Sequence, residues 1–326
     1  MEKIISQNLD ADEQIFFARE LEHVKTKTYD IKYPALKATQ LIPVSTEAGP
    51  GAETITYEQF DSVGVMKIAN SYNDDLPVSD IKGKQFSSPV RPLIGSYGYD
   101  IQAIRSAEMA ASKSKAKKKG FLKTKKAAAA KKSYAIAVND TAWFARPASA
   151  KYHGLTGFFY NANVTSGTVA TGATSSNVVW SGKTPAEILT DMNKAHTDVV
   201  KLTKGVEVPD TMLLPIEQYE LIYSTPRTTT SDKTIAQFFL DTHPGYSINQ
   251  LVECDALAPL PSTGTGSGDV MVVYRKSPEV LELQIPQPFE QFAAQERNLK
   301  QVIPTHARIG DVIVYYPLAI NIVEGI

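Results

Sequence analysis

The sequence predicts an α+β fold in which helices and strands alternate through the middle of the chain and strands close it. Three observations carry this expectation. Capped helix starts, above all Thr184-Pro185-Ala186-Glu187, stand between short β-branched runs such as Val270–Tyr274, with no clean βαβ repeat. A long helical stretch between Asp100 and Phe144 is broken by a lysine run. Residues 53–95, just before it, read as extended pairs with little local core.

Composition narrows the classes. The 326 residues are 43% hydrophobic and 21% charged, as in a globular protein able to bury a large core in one elaborate domain or two. No apolar run approaches a membrane span, so no membrane partner is expected. The opening MEKIISQNLDADEQ has no basic region before an apolar core, so no secretory leader is expected. A single cysteine, Cys254, excludes an internal disulfide framework and fits a reducing compartment. His23, His153, His196, His243 and His306 are scattered singly rather than at metal-ligand spacing.

The elements follow in order. Asp10 or Asp12 caps a helix over residues 10–28 with Phe17, Leu21 and Val24 as its stripe. Tyr33-Pro34, Ile42-Pro43 and Ala48–Gly51 keep the next segment extended, so residues 1–52 read as an arm or as a helix docked on its own domain. In residues 53–95, Ile55 and Tyr57, then Val63 and Val65, alternate with polar positions. Asn73-Asp74-Asp75 and Lys82-Gly83 mark turns, and Pro77, Pro89 and Pro92 bar central-strand positions. So little core over so many residues means a functional loop or one that packs on another chain.

Helix is expected over Asp100–Ser112 and Leu122–Phe144, bounded by Asn139-Asp140 and Pro147. Lys113, Lys115, Lys117, Lys118, Lys119, Lys123, Lys125, Lys126, Lys131 and Lys132 fall here, with no Asp or Glu between Met109 and Asn139. The chain's net charge is −1, so without these ten lysines the remainder carries −11. Ala127, Ala130, Tyr134, Ala137 and Thr141 make one narrow packing face, which Ile136 and Val138 widen. The lysines are a solvated face, a basic linker around Gly120, or a patch facing phosphate or an acidic neighbour. Cations near a helix N-terminus oppose the macrodipole and call for a compensating partner, which favours the last reading.

Asn161–Asn177 reads as a loop or an edge hairpin. The helix from Thr184 carries Ile188, Met192, Ala195, Val199 and Leu202 on one buried face and ends at Gly205. Ser181-Gly-Lys-Thr184 is not a phosphate loop, because Asn177 stands where the first glycine is needed. Thr211–Leu214 is a buried strand, Pro215–Ile222 and Thr234–Leu240 are helices, and Leu251–Cys254 is a strand. Pro261–Asp269 is a Gly/Ser/Thr tip; strands follow at Val270–Tyr274, Val280–Ile285 and within Ala307–Val323. No nucleophile elbow, His-Glu-x-x-His pair or dinucleotide fingerprint is present, so neither an enzyme nor a cofactor is expected. Asp74-Asp75 reads as a solvated turn rather than a cation site, and Arg227 with Lys233 as surface rather than a phosphate site.

The order of these parts resembles the major capsid proteins of tailed phages, with the HK97-like fold. The matching residues are Tyr33-Pro-Ala-Leu36 with Leu41-Ile-Pro43, Gly51–Tyr57, Leu76-Pro77, Gly154-Leu-Thr-Gly157 before Asn161, Trp180, Thr184–Leu189, Asp210–Pro215 and Arg308–Pro317. They span nearly the whole chain and are packing and capping residues; their order is the signal. The lysine run departs from the family's more ordinary helix.

The resemblance implies an N-terminal arm at 1–52, an extended E-loop at 53–98 lying over a neighbour, and the spine helix with the start of the P-domain at 99–154. It implies a mixed α/β A-domain at 155–268 pointing at fivefold and sixfold axes, and strands returning to the P-domain at 269–326. It also implies a structural protein that self-assembles as pentamers and hexamers into an icosahedral head in the host cytoplasm, located in the virion. Packaged double-stranded DNA would touch the ten lysines without sequence readout; scaffold, portal and decoration proteins are further implied partners. Two alternatives stand beside it: an encapsulin-like compartment shell, and a soluble nucleic-acid-binding protein that uses the lysines directly. Sparse aromatics beside the lysines argue against base stacking in the latter.

Overall fold

A computed structural model describes residues 34–64, 66, 79–113, 121–162, 164–230, 232–254 and 269–326. The chain divides into a short unit, Met1–Ala35, and a body, Leu36–Ile326. The expected helix at 10–28, the Asp74-Asp75 turn and most of the Gly/Ser/Thr tip lie outside the described residues.

The body begins with a helical turn, α1 (Ala38–Leu41), and a two-residue strand, β1 (Val44–Ser45). Strands β2 (Thr54–Val63) and β3 (Asp80–Pro89) follow, then β4 (Arg91–Asp100), α2 (Ile101–Lys113) and α3 (Phe121–Phe144). The middle holds β5 (Thr165–Thr168), α4 (Pro185–Leu202), β6 (Thr211–Leu214), α5 (Ile216–Ser224), α6 (Ile235–Thr242) and β7 (Ser247–Gln250). Strands close the chain: β8 (Val270–Tyr274), β9 (Leu281–Gln284), β10 (Gln287–Gln291), β11 (Gln295–Arg297), β12 (Lys300–Ile309), β13 (Val312–Val314) and β14 (Ile320–Glu324).

A five-stranded sheet in the order β5-β14-β8-β6-β7 organises the core. Every residue of β8 is buried, as a central strand covered on both faces requires. Val272 and Tyr274 face one apolar cluster with Trp143, Phe158 and Leu281. Met271 and Val273 face a second, with Trp180, Met192, Met212 and Phe239. The Tyr274 hydroxyl donates to the Leu41 carbonyl at 2.8 Å, which satisfies a buried phenol and ties α1 to this strand. Strands β5, β6 and β7 run parallel, joined first through α4 and then through α5 and α6, so the middle of the chain holds two helical crossovers within one sheet where no clean βαβ repeat was expected.

Burial corrects several expectations. Leu202, the last residue of α4, is 45% exposed and so does not extend that helix's buried face. Ile136 is also exposed and lies outside the packed stripe of α3, whereas Val138 is buried. Asn139 does not bound that helix, which runs on to Phe144. The strand expected at Leu251–Cys254 is Ser247–Gln250; Leu251 N–H extends the ladder by donating to Leu214, and Val252–Cys254 is a 3-10 turn. Thr165–Thr168 is a single edge strand parallel to β14, not a hairpin.

Two segment boundaries cut across paired strands. Strands β8 and β14 lie in one sheet with β5, β6 and β7, so the break at 268/269 divides a sheet. Strand β4 pairs along its whole length with β12, and so belongs to the body rather than to the hairpin before it. Pro92 is tolerated there because β4 is an edge strand.

The root of the β2–β3 hairpin is fixed by Asp311. Thr156 N–H donates to its Oδ1 at 2.8 Å, and Ser88 and Arg91 lie beside it. Burial pushes this carboxyl up to about 6, against the opposing pull of Thr156 N–H, Ser88 and the Arg91 charge.

Candidate assembly surfaces

Helix α3 packs on the sheet formed by β10, β11, β12 and β4. Small residues let it approach: Ala127, Ala130 and Ala137 are half-buried, and Tyr134 meets Phe289 with ring centroids 5.4 Å apart. Its last carbonyls are answered from the chain that follows. Gly157, Phe158 and Phe159 N–H groups donate to Ala145, Ala142 and Trp143. A β-carbon at Gly157 would sit 2.7 Å from the Ala145 nitrogen, so only glycine allows this approach.

The ten lysines are not one uniform face. Lys115, Lys117, Lys118 and Lys119 lie outside the described residues. Lys113 is the last residue of α2, and Lys123 lies in the first turn of α3. Lys131 is exposed, while Lys125 and Lys132 are half-buried. Lys126 turns inward: its Nζ donates to the Gly98 carbonyl at 2.5 Å and sits 4.7 Å from the centre of the Tyr99 ring. No acidic residue stands in the first turn of α3, so the macrodipole is not offset from within that turn.

The β2–β3 hairpin is the second surface. Its strands pair from Thr54↔Pro89 to Val63↔Asp80, yet packing is confined to the root. Ser88 is buried, and Tyr57 meets the Tyr315 ring edge-on at 5.1 Å. Farther out, Phe60 is 68% exposed and Ile81 67%. Apolar side chains on a paired but uncovered ribbon mark a surface completed by another molecule.

The third surface is a groove of about 930 Å³ beside the hairpin root. Leu202, Val206, Tyr316 and Leu318 give it an apolar wall, all 45% exposed or more. Five carboxylates line it, Glu47, Glu58, Glu207, Glu279 and Glu282, against the ammonium of Lys204. Arg275 pairs with Glu207 at 2.7 Å and reaches the mostly exposed Glu279 at 3.8 Å, which leaves Glu47, Glu58 and Glu282 without a cation from Arg275. The Tyr315 phenol is held above its ordinary range, first by burial and then by Glu282 and Glu47. Glu279 and Glu282 are neighbours in sequence, but Glu47, Glu58 and Glu207 come from three other segments, and no spacing in the sequence joins the set.

The residues considered for chemistry are engaged elsewhere. Lys183 is buried and ion-paired to Asp191 at 2.6 Å, and it also donates to the Ala170 carbonyl. Arg227 lies over the Phe238 ring at 3.8 Å, and Lys233 pairs with Asp241 at 2.6 Å. His196 and His243, distant in sequence, meet with ring centroids 4.6 Å apart. Among the described residues no group of three or more His, Cys, Asp or Glu is placed to hold a metal, and no helix is long and apolar enough to cross a membrane.

A long helix on a small sheet, a helix-covered five-stranded sheet and a projecting hairpin define the HK97-like class of shell subunits. The fold matches the capsid of Myoviridae phage XM1 with a TM-score of 0.79 at 16% identity, covering 97% of this chain and 100% of that one. It also matches a chain from Mycobacterium phage Ogopogo (TM-score 0.56, 12% identity, 95% and 99% covered) and one from the capsid of a native GTA particle (0.59, 10%, 94% and 96%). No curated protein matches the chain in sequence. The family model described as major capsid protein matches residues 64–326, and the chain belongs to that family. It is therefore a capsid subunit that works in an oligomeric shell and resides in the virion.

Proposed function

We propose that this chain is the major subunit of an icosahedral phage head that encloses double-stranded DNA. It closes as pentamers and hexamers, is assembled in the host cytoplasm with scaffold and portal proteins, takes decoration proteins outside, and has a structural rather than a catalytic role. The observation that carries this reading is the hairpin, whose Phe60 and Ile81 stay exposed in a single copy although β2 and β3 are fully paired.

In this reading residues 1–52 are the arm, and the hairpin is the E-loop lying on a neighbour. Helices α2 and α3 with the β4–β12 sheet form the P-domain. Helices α4, α5 and α6 with the five-stranded sheet form the A-domain. Lys126 apart, which is engaged by Gly98 and Tyr99, the lysines of the run meet DNA phosphates or an acidic neighbour without reading sequence. The concentration of charge in a chain otherwise net acidic supports this.

Native mass and electron microscopy of the purified protein test the shell. Megadalton closed particles are expected, and a stable monomer at working concentration rejects the reading. For the lysines, changing Lys117, Lys118 and Lys119 together to Glu is expected to lower the yield of stably filled particles at least tenfold. Filled particles at wild-type yield would remove DNA and assembly from their role.

A further inference from the structure

The turn between β11 and β12 is built against local preference. Arg297 pairs with Lys300, so Asn298 and Leu299 alone make the turn, at φ 43° and 64°. Turns with both central residues left-handed favour Asn followed by Gly. A leucine there sets its β-carbon against the neighbouring carbonyl. Burial does not offset this within the chain, since Leu299 is 78% exposed. Strain kept at an exposed apolar residue points to a contact that the single chain lacks.

The tip is rigidly mounted. The Leu299 carbonyl accepts Ile101 N–H at 3.0 Å, and Lys300 contacts Asp100 at 3.4 Å. It presents one apolar side chain between two exposed cations, Arg297 and Lys300. The groove described above has the opposite character: an apolar wall at Val206, Tyr316 and Leu318, rimmed by carboxylates. A chain cannot bring the two together within itself. Strand β12 runs from the tip at Lys300 to Ile309, roughly 30 Å at strand rise, and a β-carbon at the next residue, Gly310, would lie 3.7 Å from Ile55 at the hairpin root beside the groove.

We propose that the Asn298–Leu299 tip of one subunit seats in the acidic groove of a second copy, with Leu299 on the apolar wall and Arg297 and Lys300 against Glu58 and Glu279. Knob and groove are different surfaces, so the contact is head-to-tail and propagates into rings or a lattice rather than closing as a pair. It rests on the shell reading and names one of its contacts.

Charge exchange tests it. Three full-length chains are compared, R297E/K300E, E58K/E279K and the four-fold combination, each checked for a wild-type unfolding midpoint. Assembly is followed by sedimentation against protein concentration. Each reversal alone is expected to raise the concentration needed for assembly at least tenfold, and the combination to restore it to within about threefold. Leu299→Gly separates contact from fold: it relieves the turn, so subunit stability is kept or raised while assembly weakens.

Normal assembly of R297E/K300E overturns the proposal. So does a combination that fails to restore assembly although every chain folds. A defect confined to the groove variant also overturns it and assigns the groove another occupant, such as a hairpin tip or an unrelated protein. Failure of the wild-type chain to assemble at all would count against the shell reading instead.

Discussion

At the scale of single residues, the informative side chains are those whose partners are far away in sequence. Asn139 and Asp140 read locally as a helix boundary, because such residues compete with the helix for backbone hydrogen bonds. In the fold Asn139 sits inside α3, where its Oδ1 accepts Ala38 N–H at 3.0 Å and its Nδ2 donates to Glu253 at 2.5 Å. No local rule sees partners more than a hundred residues away. Asp311 is of the same kind and yields a prediction. Its carboxyl titrates near the ordinary aspartate value of 3.8 in the unfolded chain and at about 6 when folded. Below the lower value both states are protonated and the folded state benefits fully. As pH rises toward 6 the unfolded chain has lost its proton while the folded chain still holds one, so this contribution is lost. Above 6 the buried carboxylate costs at most about 3 kcal/mol. Asp311→Asn keeps an oxygen for Thr156 N–H and removes the charge. It is expected to stabilise the unassembled subunit by about 1–2 kcal/mol at pH 7.5 and to change little at pH 3.5. Urea midpoints at the two pH values measure this, and an Asn variant less stable at pH 7.5 would show that the ionised form is wanted.

At the scale of elements, legibility followed the physics of each segment. Helix α4 was readable because its start carries its own instructions. Glu187 accepts from Thr184 N–H and hydroxyl at 2.9 Å, and from Thr174 and Ser175 N–H, which holds its carboxyl well below the usual range. Strand β8 was readable because a strand buried on both faces must be apolar throughout. Strands β10 and β11 were not, since they are rich in Gln and Glu, mostly exposed, and owe their state to pairing with β12. Nor did the sequence show that α4 and α6 meet through histidines. His196 and His243 pack against each other, His243 stacks on Phe239 with centroids 4.4 Å apart, and Tyr246 closes the cluster. Burial, then the neighbouring His243, lowers the proton affinity of His196. The folded state thus binds this proton more weakly than the unfolded chain, and the stability it lends is full above pH 6.5 and lost as pH falls below it. Amides of α4 and α6 are expected to exchange several-fold faster at pH 5 than at pH 7.5 after correction for intrinsic rates, and His196→Phe should flatten that difference. Equal protection at both pH values in the wild type would place the acid-sensitive step elsewhere.

At the scale of the whole molecule, the division between body and hairpin is a division between folding and assembly. The body keeps its own core: two apolar clusters meet across the five-stranded sheet, and both draw on residues from the middle and the end of the chain. The hairpin adds little to either. Beyond Tyr57 and Phe86, stacked at 5.1 Å, the described side chains of β2 and β3 are exposed apart from the root. The sequence showed this as a deficit, a long segment with alternating residues and no core of its own, but not what the segment would lie against. That information belongs to a second copy. Tyr57 and Phe86 face each other in register, so an Asn-Gly turn can join them directly in place of residues 58–85. The shortened chain loses little buried area, and its unfolding temperature should fall by no more than about 2–4 °C, the shift expected from about 1 kcal/mol in a protein of this size. It should run as a monomer in sedimentation at concentrations where the full chain forms shells. Shells from the shortened chain at the full chain's concentration would show that copies are held by other contacts, and loss of folding would show that the hairpin belongs to the body's own stability rather than to its neighbours'.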